Sequence, residues 1–244
     1  MDLEPKPPRS PTGAVRIAWG FGDFVWIYIA GLVASLVGAS VGAGLAGDTP
    51  GHTSALTIAL GAGGQYAAWG VGLLYLSRRR GLGTLAADFG LAVRASKFWA
   101  LFAGIALQIV LGVFVLPLVH LVGNEKQTVV DDLRNASGPK LAVLLVVAGL
   151  IAPVFEELLF RGLLLRALRR RFSPEVAIGG SALLFALGHL LDPSLGTVAV
   201  LPALFALGVI SGIAAVEVGD LSVSIPLHIG FNIVTVAAYA CLLR

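Results

Sequence analysis

The sequence predicts an all-α, polytopic membrane protein: a helical bundle with about seven transmembrane helices, within a range of six to eight. Hydrophobic residues make up 57% of the 244 residues and charged residues only 13%. Soluble domains carry about 25% charged residues. The apolar runs are long enough to cross a bilayer and follow one another closely. We therefore expect one membrane-embedded domain over residues 17–244.

Residues 1–16 are polar and rich in proline, a composition that predicts a disordered tail. The first apolar run follows without a convincing small-residue cleavage pattern. We therefore expect a retained membrane anchor and not a signal peptide.

Turn-forming or basic stretches separate the apolar runs. Gly47–Gly51 has the composition of a turn, and Arg78–Arg80 ends the second run. Ser173-Pro174-Glu175 is a helix-start signal, because serine can cap the helix and proline suits its first turn. The expected spans cover about 21–46, 55–76, 97–122, 140 to the basic end at 166–171, 175–191, 196–216 and 221–243.

Two longer stretches lie between the expected spans. Residues 81–96 should form a loop or a short surface helix, and residues 123–140 an exposed polar connection. Inside the spans, Gln65 and Gln108 are expected to make interhelical hydrogen bonds. Three tryptophans are candidate anchors at the membrane interfaces: Trp19, Trp26 and Trp69.

The basic residues favour one orientation of the chain. If the spans alternate in direction, twelve of the 17 Lys and Arg residues fall on the amino-terminal side and four on the other, with Arg161 inside a span. Cytoplasmic loops carry the excess of Lys and Arg, so the amino terminus should be cytoplasmic. The excess of Lys and Arg on the cytoplasmic side then explains the net charge of +3. No nucleic-acid partner is therefore expected.

Glu156, Glu157 and Arg161 interrupt the fourth apolar run. An ionisable group at the centre of a span costs at least ~2.5 kcal/mol, so these three need compensating partners. Glu157 and Arg161 are spaced for a helical ion pair. Adjacent helical residues point about 100° apart, so the two glutamates cannot face one point. We assign Glu156 to chemistry and Glu157 with Arg161 to support, and the reverse assignment stays open.

The later spans contain three more polar side chains at membrane depth. His228 and Asn232 are four residues apart and share one helical face, while His189 lies in another span. At a rise of ~1.5 Å per residue, four side chains lie about 21, 21, 12 and 18 Å from the basic side: Glu156, His189, His228 and Asn232. A single histidine often serves only to join helices, but this combination favours a functional cluster.

These groups suit hydrolysis of an amide. Glu156 in an apolar cavity can act as a general base and, beside His189, can position and deprotonate a water molecule. His228 and Asn232 can donate hydrogen bonds to the oxyanion that forms when water attacks a carbonyl. Glu156, His189 and His228 also form a candidate site for a divalent metal such as zinc. The chain lacks H-E-x-x-H and has one cysteine, so the metal-dependent and metal-free alternatives both stay open.

Three segments of the chain resemble one protein family. Glu156–Arg161 looks like an E-E-x-x-x-R motif, Phe185–His189 like F-x-x-x-H, and His228–Asn232 like H-x-x-x-N. The motifs are those of the CAAX protease and bacteriocin-processing (CPBP, or Abi) family of intramembrane endopeptidases. They occur in the family's order, and the resemblance covers about residues 140–235, the expected catalytic core.

The resemblance implies an intramembrane endopeptidase in which Glu156 and His189 activate water. It also implies that His228 and Asn232 stabilise the oxyanion, with Phe185 in a supporting position. The expected substrate is a membrane-associated protein or peptide, and the expected location is a bacterial-type cell membrane. The prenylated substrates of eukaryotic members are not carried over, because the first three spans contain no recognisable substrate code.

Two other functions stay open at this point. A non-proteolytic membrane scaffold or bacteriocin-immunity factor would use the cluster for packing or for binding a partner. An ion-coupled transporter would use buried carboxylates and histidines as an ion path. The sequence has no repeat pair of the kind common in transporters, which argues against the transporter.

Overall fold

The computed structural model describes residues 18–49, 52–121, 136, 138–191 and 195–237. Within these ranges the chain is helical and forms no strand, so the prediction of an all-α protein is confirmed. The predicted tail at residues 1–16, almost all of the polar connection at 123–140 and the single cysteine, Cys241, lie outside the described residues.

Eight α-helices build the described part of the chain. Five apolar segments are long enough to cross a membrane: Phe21–Ala46, Ala95–Leu121, Gly138–Leu168, Pro174–Leu191 and Gly196–Val218. The predicted count of seven is therefore not confirmed. The helices are α1 (Phe21–Ala46), α2 (Ala55–Arg80), α3 (Leu85–Phe89), α4 (Trp99–Leu121), α5 (Gly138–Leu168), α6 (Pro174–Gly188), α7 (Leu195–Val218) and α8 (Ser224–Ala237).

The start of α6 follows from local sequence. The Ser173 side chain accepts a hydrogen bond from the Val176 amide at 3.5 Å, and Pro174 occupies the first turn, where its missing N–H costs nothing. Glu175 adds a negative charge beside the positive end of the helix dipole. The predicted helix start is confirmed, and it sets where His189 falls along α6.

Six parts of the chain meet on one side of the bundle, which we call the arginine-rich face. The start of α1, the end of α2, α3, the start of α4, the end of α5 and the turn between α7 and α8 are tied together there. Arginine side chains make most of the ties: Arg80 to Asp23 and the Ala18 carbonyl, Arg94 to Asp220, Arg166 to the Gly219 carbonyl, and Arg170 to the Trp19 carbonyl. The long helices thus alternate in direction from this face.

One local prediction is confirmed and another is wrong. Helix α3 is a short helix with Ala86 and Ala87 exposed, although Phe89 on it packs in the core and Asp88 accepts hydrogen bonds from Trp19 and Ser77. Trp19 and Trp69 are likewise buried and not interface anchors. In both cases a tertiary partner, invisible in local composition, turns the side chain inward.

Helices α4 and α8 pack with their backbones in contact. A Cβ atom at Gly104 would overlap the carbonyl oxygen of Leu227, and one at Gly230 would overlap that of Leu101. Only glycine fits at such a close approach. This contact fixes the position of α8, which carries His228 and Asn232, relative to α4.

Candidate active site

Helix α5 is not a regular α-helix. Val147–Ile151 and Glu157–Leu165 form π-helical turns, on either side of the short α-helical segment Ala152–Glu156. Turns of this kind are rare and often occur at functional sites. They place Glu156 and Glu157 at a junction between two helical geometries.

The first π-helical segment leaves a backbone carbonyl available to another helix. The Ala152 amide donates to the Val147 carbonyl, five residues back, and Pro153 has no N–H to donate to the Ala148 carbonyl in the same pattern. The Ala148 carbonyl instead accepts a hydrogen bond from the Asn232 side-chain amide at 2.8 Å. Asn232 thereby joins α8 to α5 beside the glutamates.

Glu157 lies at the centre of a buried charged cluster. Its Oε1 atom is 3.0 Å from Arg161 Nη1, and both side chains are fully buried. The same oxygen is 3.0 Å from His228 Nδ1, whose N–H can donate to it. The predicted ion pair is therefore present, and Glu157 also holds the imidazole of His228.

Glu156 is the more accessible of the two glutamates. Its side chain is 17% exposed, and its Oε2 atom lies 3.6 Å from Nε2 of His228. The two ring nitrogens of His228 therefore face the two carboxylates. This division between an accessible and a buried glutamate is the one predicted from their positions on the helix.

Phe185 packs against three polar groups of the cluster. Its ring lies edge-on to His189 and His228, with centroid distances of 5.1 and 5.5 Å. The guanidinium carbon of Arg161 lies 4.5 Å from the centre of the same ring. A ring face attracts a cation, and aromatic edges favour this perpendicular packing. Phe185 thus fixes the positions of both histidines.

The tautomer of His189 follows from its hydrogen bond. Nδ1 lies 3.0 Å from the Phe185 carbonyl oxygen, which can only accept, so Nδ1 carries the proton. In the neutral ring Nε2 is then an acceptor. His189 can therefore accept a hydrogen bond from a water molecule in the cavity that it lines.

One cavity brings the predicted residues together. It has a volume of about 680 Å³ and is lined by residues of α2, α4, α5, α7 and α8, and by His189. The polar groups in its wall include all four predicted catalytic residues: Glu156, His189, His228 and Asn232. Apolar side chains provide most of the remaining surface, so the polar groups act in a water-poor environment.

Two residues of this wall were missed from sequence. Tyr66 on α2 lines the cavity and stacks on Phe155 at a centroid distance of 5.3 Å. Gln108 on α4 also lines it, and its Oε1 atom is buried without a hydrogen-bond partner in the part of the chain that the structure describes. The expected interhelical bond of Gln108 is therefore not made through Oε1. Its isolation in a strongly apolar span was the available signal.

The side chains do not form a ready metal site. Among the described residues, no three His, Cys, Asp or Glu side chains are grouped so that they could hold one ion. His228 lies beside a carboxylate at each ring nitrogen, with Nδ1 3.0 Å from Glu157 and Nε2 3.6 Å from Glu156. Metal binding by Glu156, His189 and His228 stays a prediction, and no chemical step is assigned to a metal.

Comparison with known proteins finds one family model that matches this region. Residues 138–234 match the family model described as type II CAAX prenyl endopeptidase Rce1-like. No curated protein and no solved structure matches the chain. The matched range contains all three motifs and every charged or histidine residue of the cluster, and it confirms the resemblance. Residues 138–234 are therefore similar to the Rce1-like family of CAAX proteases, and the chain carrying them is a membrane protein.

Proposed function

We propose that this protein is an intramembrane endopeptidase that hydrolyses a peptide bond of a membrane-associated protein or peptide with an activated water molecule. The observation that carries the proposal is the single cavity lined by Glu156, His189, His228 and Asn232. Such a site in an apolar span is costly to maintain for helix packing alone. The similarity of the same residues to this family supports the same chemistry.

In the proposed reaction Glu156 is the general base. A water molecule between Glu156 and His189 donates one hydrogen bond to the carboxylate and one to Nε2 of His189. Glu156 takes a proton from this water as its oxygen attacks the carbonyl carbon of the substrate. A positioned base of this kind contributes about 10²–10⁴-fold to the rate.

His228 and Asn232 stabilise the tetrahedral oxyanion. His228 as an imidazolium would balance the charges of Glu156, Glu157 and Arg161 and would present Nε2–H as a donor. One hydrogen of the Asn232 amide is held by Ala148, and the second is free to donate to the oxyanion. Fixed donors in an apolar site stabilise developing charge strongly.

Collapse of the intermediate completes the reaction. The oxyanion re-forms the carbonyl, the carbon–nitrogen bond breaks, and the protonated Glu156 gives its proton to the leaving amine. The products are a carboxylic acid and an amine, and Glu156 returns to its starting state. No covalent enzyme intermediate is required.

Replacement of Glu156 tests the proposal. Glu156→Gln keeps the size of the side chain and removes the base, so we expect cleavage of a lipid-anchored, quenched-fluorescent peptide to fall by about 10²–10⁴-fold. Glu217→Gln is the control, because Glu217 is exposed on α7 and does not line the cavity. The melting temperature in detergent should be similar for both variants.

Retained cleavage by a folded Glu156→Gln variant would contradict the assignment of the base. A cellular phenotype that survives this substitution, without cleavage by either protein, would favour the non-proteolytic scaffold or immunity factor.

A further inference from the structure

We propose that the scissile bond reaches Glu156 from the face of the membrane opposite the arginine-rich face, which makes the substrate a non-cytoplasmic peptide segment. This inference rests on the proposed proteolytic function and adds the side from which the substrate enters. The inference follows from the packed layer that closes the cavity on its arginine-rich side, the direction in which the cavity extends, and the distribution of Lys and Arg residues between the two faces.

The cavity is closed on its arginine-rich side. Below Glu156 in that direction, helix α5 contributes Leu159, Leu163 and Leu164, each with 0% exposure. Phe89 of α3 and Leu207 of α7 pack in the same core and are also 0% exposed. Interiors packed in this way open only at a large free-energy cost. A peptide cannot reach Glu156 through this layer in the folded protein.

The cavity extends instead toward the opposite helix ends. On α8 its wall runs from His228 to Val236, and that helix is described as far as Ala237. On α4 the wall runs from Gln108 to Val119, two residues before the end of the helix at Leu121. Both helices start at the arginine-rich face. The cavity therefore occupies the half of the bundle farther from that face.

Charge assigns the two faces to compartments. The arginine-rich side carries Arg78–Arg80, Arg94, Lys97 and the cluster at 166–171, whereas Lys140 is the one Lys or Arg of the described residues that lies beside the opposite helix ends. An excess of this size marks the cytoplasmic side of a membrane protein. The cavity then extends toward the non-cytoplasmic side, where an exported peptide or an extracytoplasmic juxtamembrane segment would meet it.

Thiol labelling tests the side of access without requiring proteolysis. In a Cys241→Ser background, Thr235→Cys places a thiol in the cavity wall. Ser96→Cys places one at an exposed position beside the arginine-rich face and conserves size and charge. Both proteins are treated in intact cells, and again after permeabilisation, with a membrane-impermeant maleimide. Melting temperatures in detergent confirm that both variants fold.

We expect the thiol at position 235 to be modified in intact cells and the thiol at position 96 only after permeabilisation. Modification of position 235 only after permeabilisation would overturn the proposal. Failure to modify it under either condition, in a folded protein, would also overturn it, because the cavity would then open only to lipid.

Cleavage assays separate this inference from the proposed function. With a quenched-fluorescent peptide, modification at position 235 should slow cleavage by at least about tenfold, and modification at position 96 by less than about twofold. If Glu156→Gln abolishes cleavage but labelling shows cytoplasmic access, the side of entry is wrong and the protease stands. If labelling is as expected and the wild-type protein does not cleave, the proposed function is wrong and the access route stands.

Discussion

Arg161 shows how a charge can be tolerated in the middle of a membrane protein. Its guanidinium is fully buried, pairs with Glu157 at 3.0 Å and lies over the ring of Phe185. Glu157 in turn faces His228. A buried ion pair need not add net stability, but removal of one partner leaves the other charge uncompensated. The role of Arg161 is therefore best measured by removing it alone and together with its partner.

We expect Arg161→Met to lower the free energy of unfolding by about 3–5 kcal/mol, because Glu157 would remain charged and buried. The measurement is thermal or denaturant unfolding in detergent. The double variant Glu157→Gln with Arg161→Met should lose less than the sum of the two single variants. Additive losses would show that the two side chains do not stabilise each other.

Gln108 is a different case, because its buried side-chain oxygen, Oε1, has no partner among the described residues. We expect Gln108→Leu to leave stability unchanged or to raise it by up to about 1 kcal/mol, measured by unfolding in detergent.

Ser181→Ala is the matched comparison for Gln108→Leu. The Ser181 hydroxyl is buried and donates to the Phe160 carbonyl at 3.0 Å, so its loss should cost about 1 kcal/mol. An equal loss in Gln108→Leu would show that its amide does have a partner.

The residues of the site were largely predictable, and their contacts were not. Charge in an apolar span and four-residue spacing are enough to identify Glu156, Glu157 and Arg161 from the sequence alone. The contact of His228 with both glutamates depends on how α8 is placed against α5, which no local pattern states. Tyr66 and Gln108 carry no motif and belong to helices outside the family match.

At the scale of helices, the position of α8 is set by glycine. Gly104 of α4 and Gly230 of α8 let the two backbones touch, and Gly230 lies between His228 and Asn232. A side chain at either glycine must push the helices apart. The distance of the donors from Glu156 would then change, although none of the polar residues is altered.

We expect Gly104→Ala and Gly230→Ala each to destabilise the protein by about 1–3 kcal/mol and to reduce cleavage. Gly112→Ala, in the same helix as Gly104, is the control for stability. A Cβ atom there meets nothing within 4 Å, so alanine should be neutral or stabilising by up to about 1 kcal/mol. Unfolding in detergent and the peptide assay provide the two measurements, and equal effects at all three glycines would refute the close-contact explanation.

Helix bounds followed the apolar runs closely, but helix geometry did not. The predicted span at 21–46 coincides with α1, and the capped start of α6 agrees with Ser173-Pro174-Glu175. Helix α2 continues through Arg80, which binds Asp23 at the start of α1 instead of ending the helix. The π-helical turns of α5 leave no periodic signal in an apolar run.

Across the whole molecule, ion pairs on the arginine-rich face join elements that are distant in sequence. Asp220, in the turn before α8, accepts a hydrogen bond from the Ser222 amide at 2.9 Å and pairs with Arg94. Partial burial raises the pKa of Asp220, but the hydrogen bonds from Ser222 and the charge of Arg94 outweigh it, so the pKa lies below its usual value. The ionised form therefore stabilises the folded state.

This carboxylate should make stability depend on acid pH. Its contribution is complete above the unfolded pKa of about 3.9 and is lost as the pH falls through the lower folded value. We expect Asp220→Asn to lower the melting temperature at pH 7 and to reduce the further decline below pH 4. Glu217→Gln, at an exposed position on α7, should change neither value. Identical acid profiles for the wild type and Asp220→Asn would contradict this role.

The overall architecture followed from composition, whereas the number of membrane crossings did not. Long apolar runs require helices, because every backbone polar group in lipid must be satisfied within its own segment. The seven expected spans include α2, which is rich in glycine and contains Gln65, and α8, of which 14 residues are described. The five apolar segments that meet the requirements of length and hydropathy do not include these two helices.

Pro153 of α5 also determines the orientation of the Asn232 side-chain amide. A carboxamide is almost symmetric in shape, and either its oxygen or its nitrogen could point toward a substrate. Because Pro153 has no N–H to donate to the Ala148 carbonyl, that carbonyl accepts a hydrogen bond from the nitrogen of the Asn232 amide. The orientation of the Asn232 amide matters to an oxyanion, which is attracted to N–H and repelled by C=O. A residue that has no backbone N–H to donate thus selects the sign of the dipole presented by another helix.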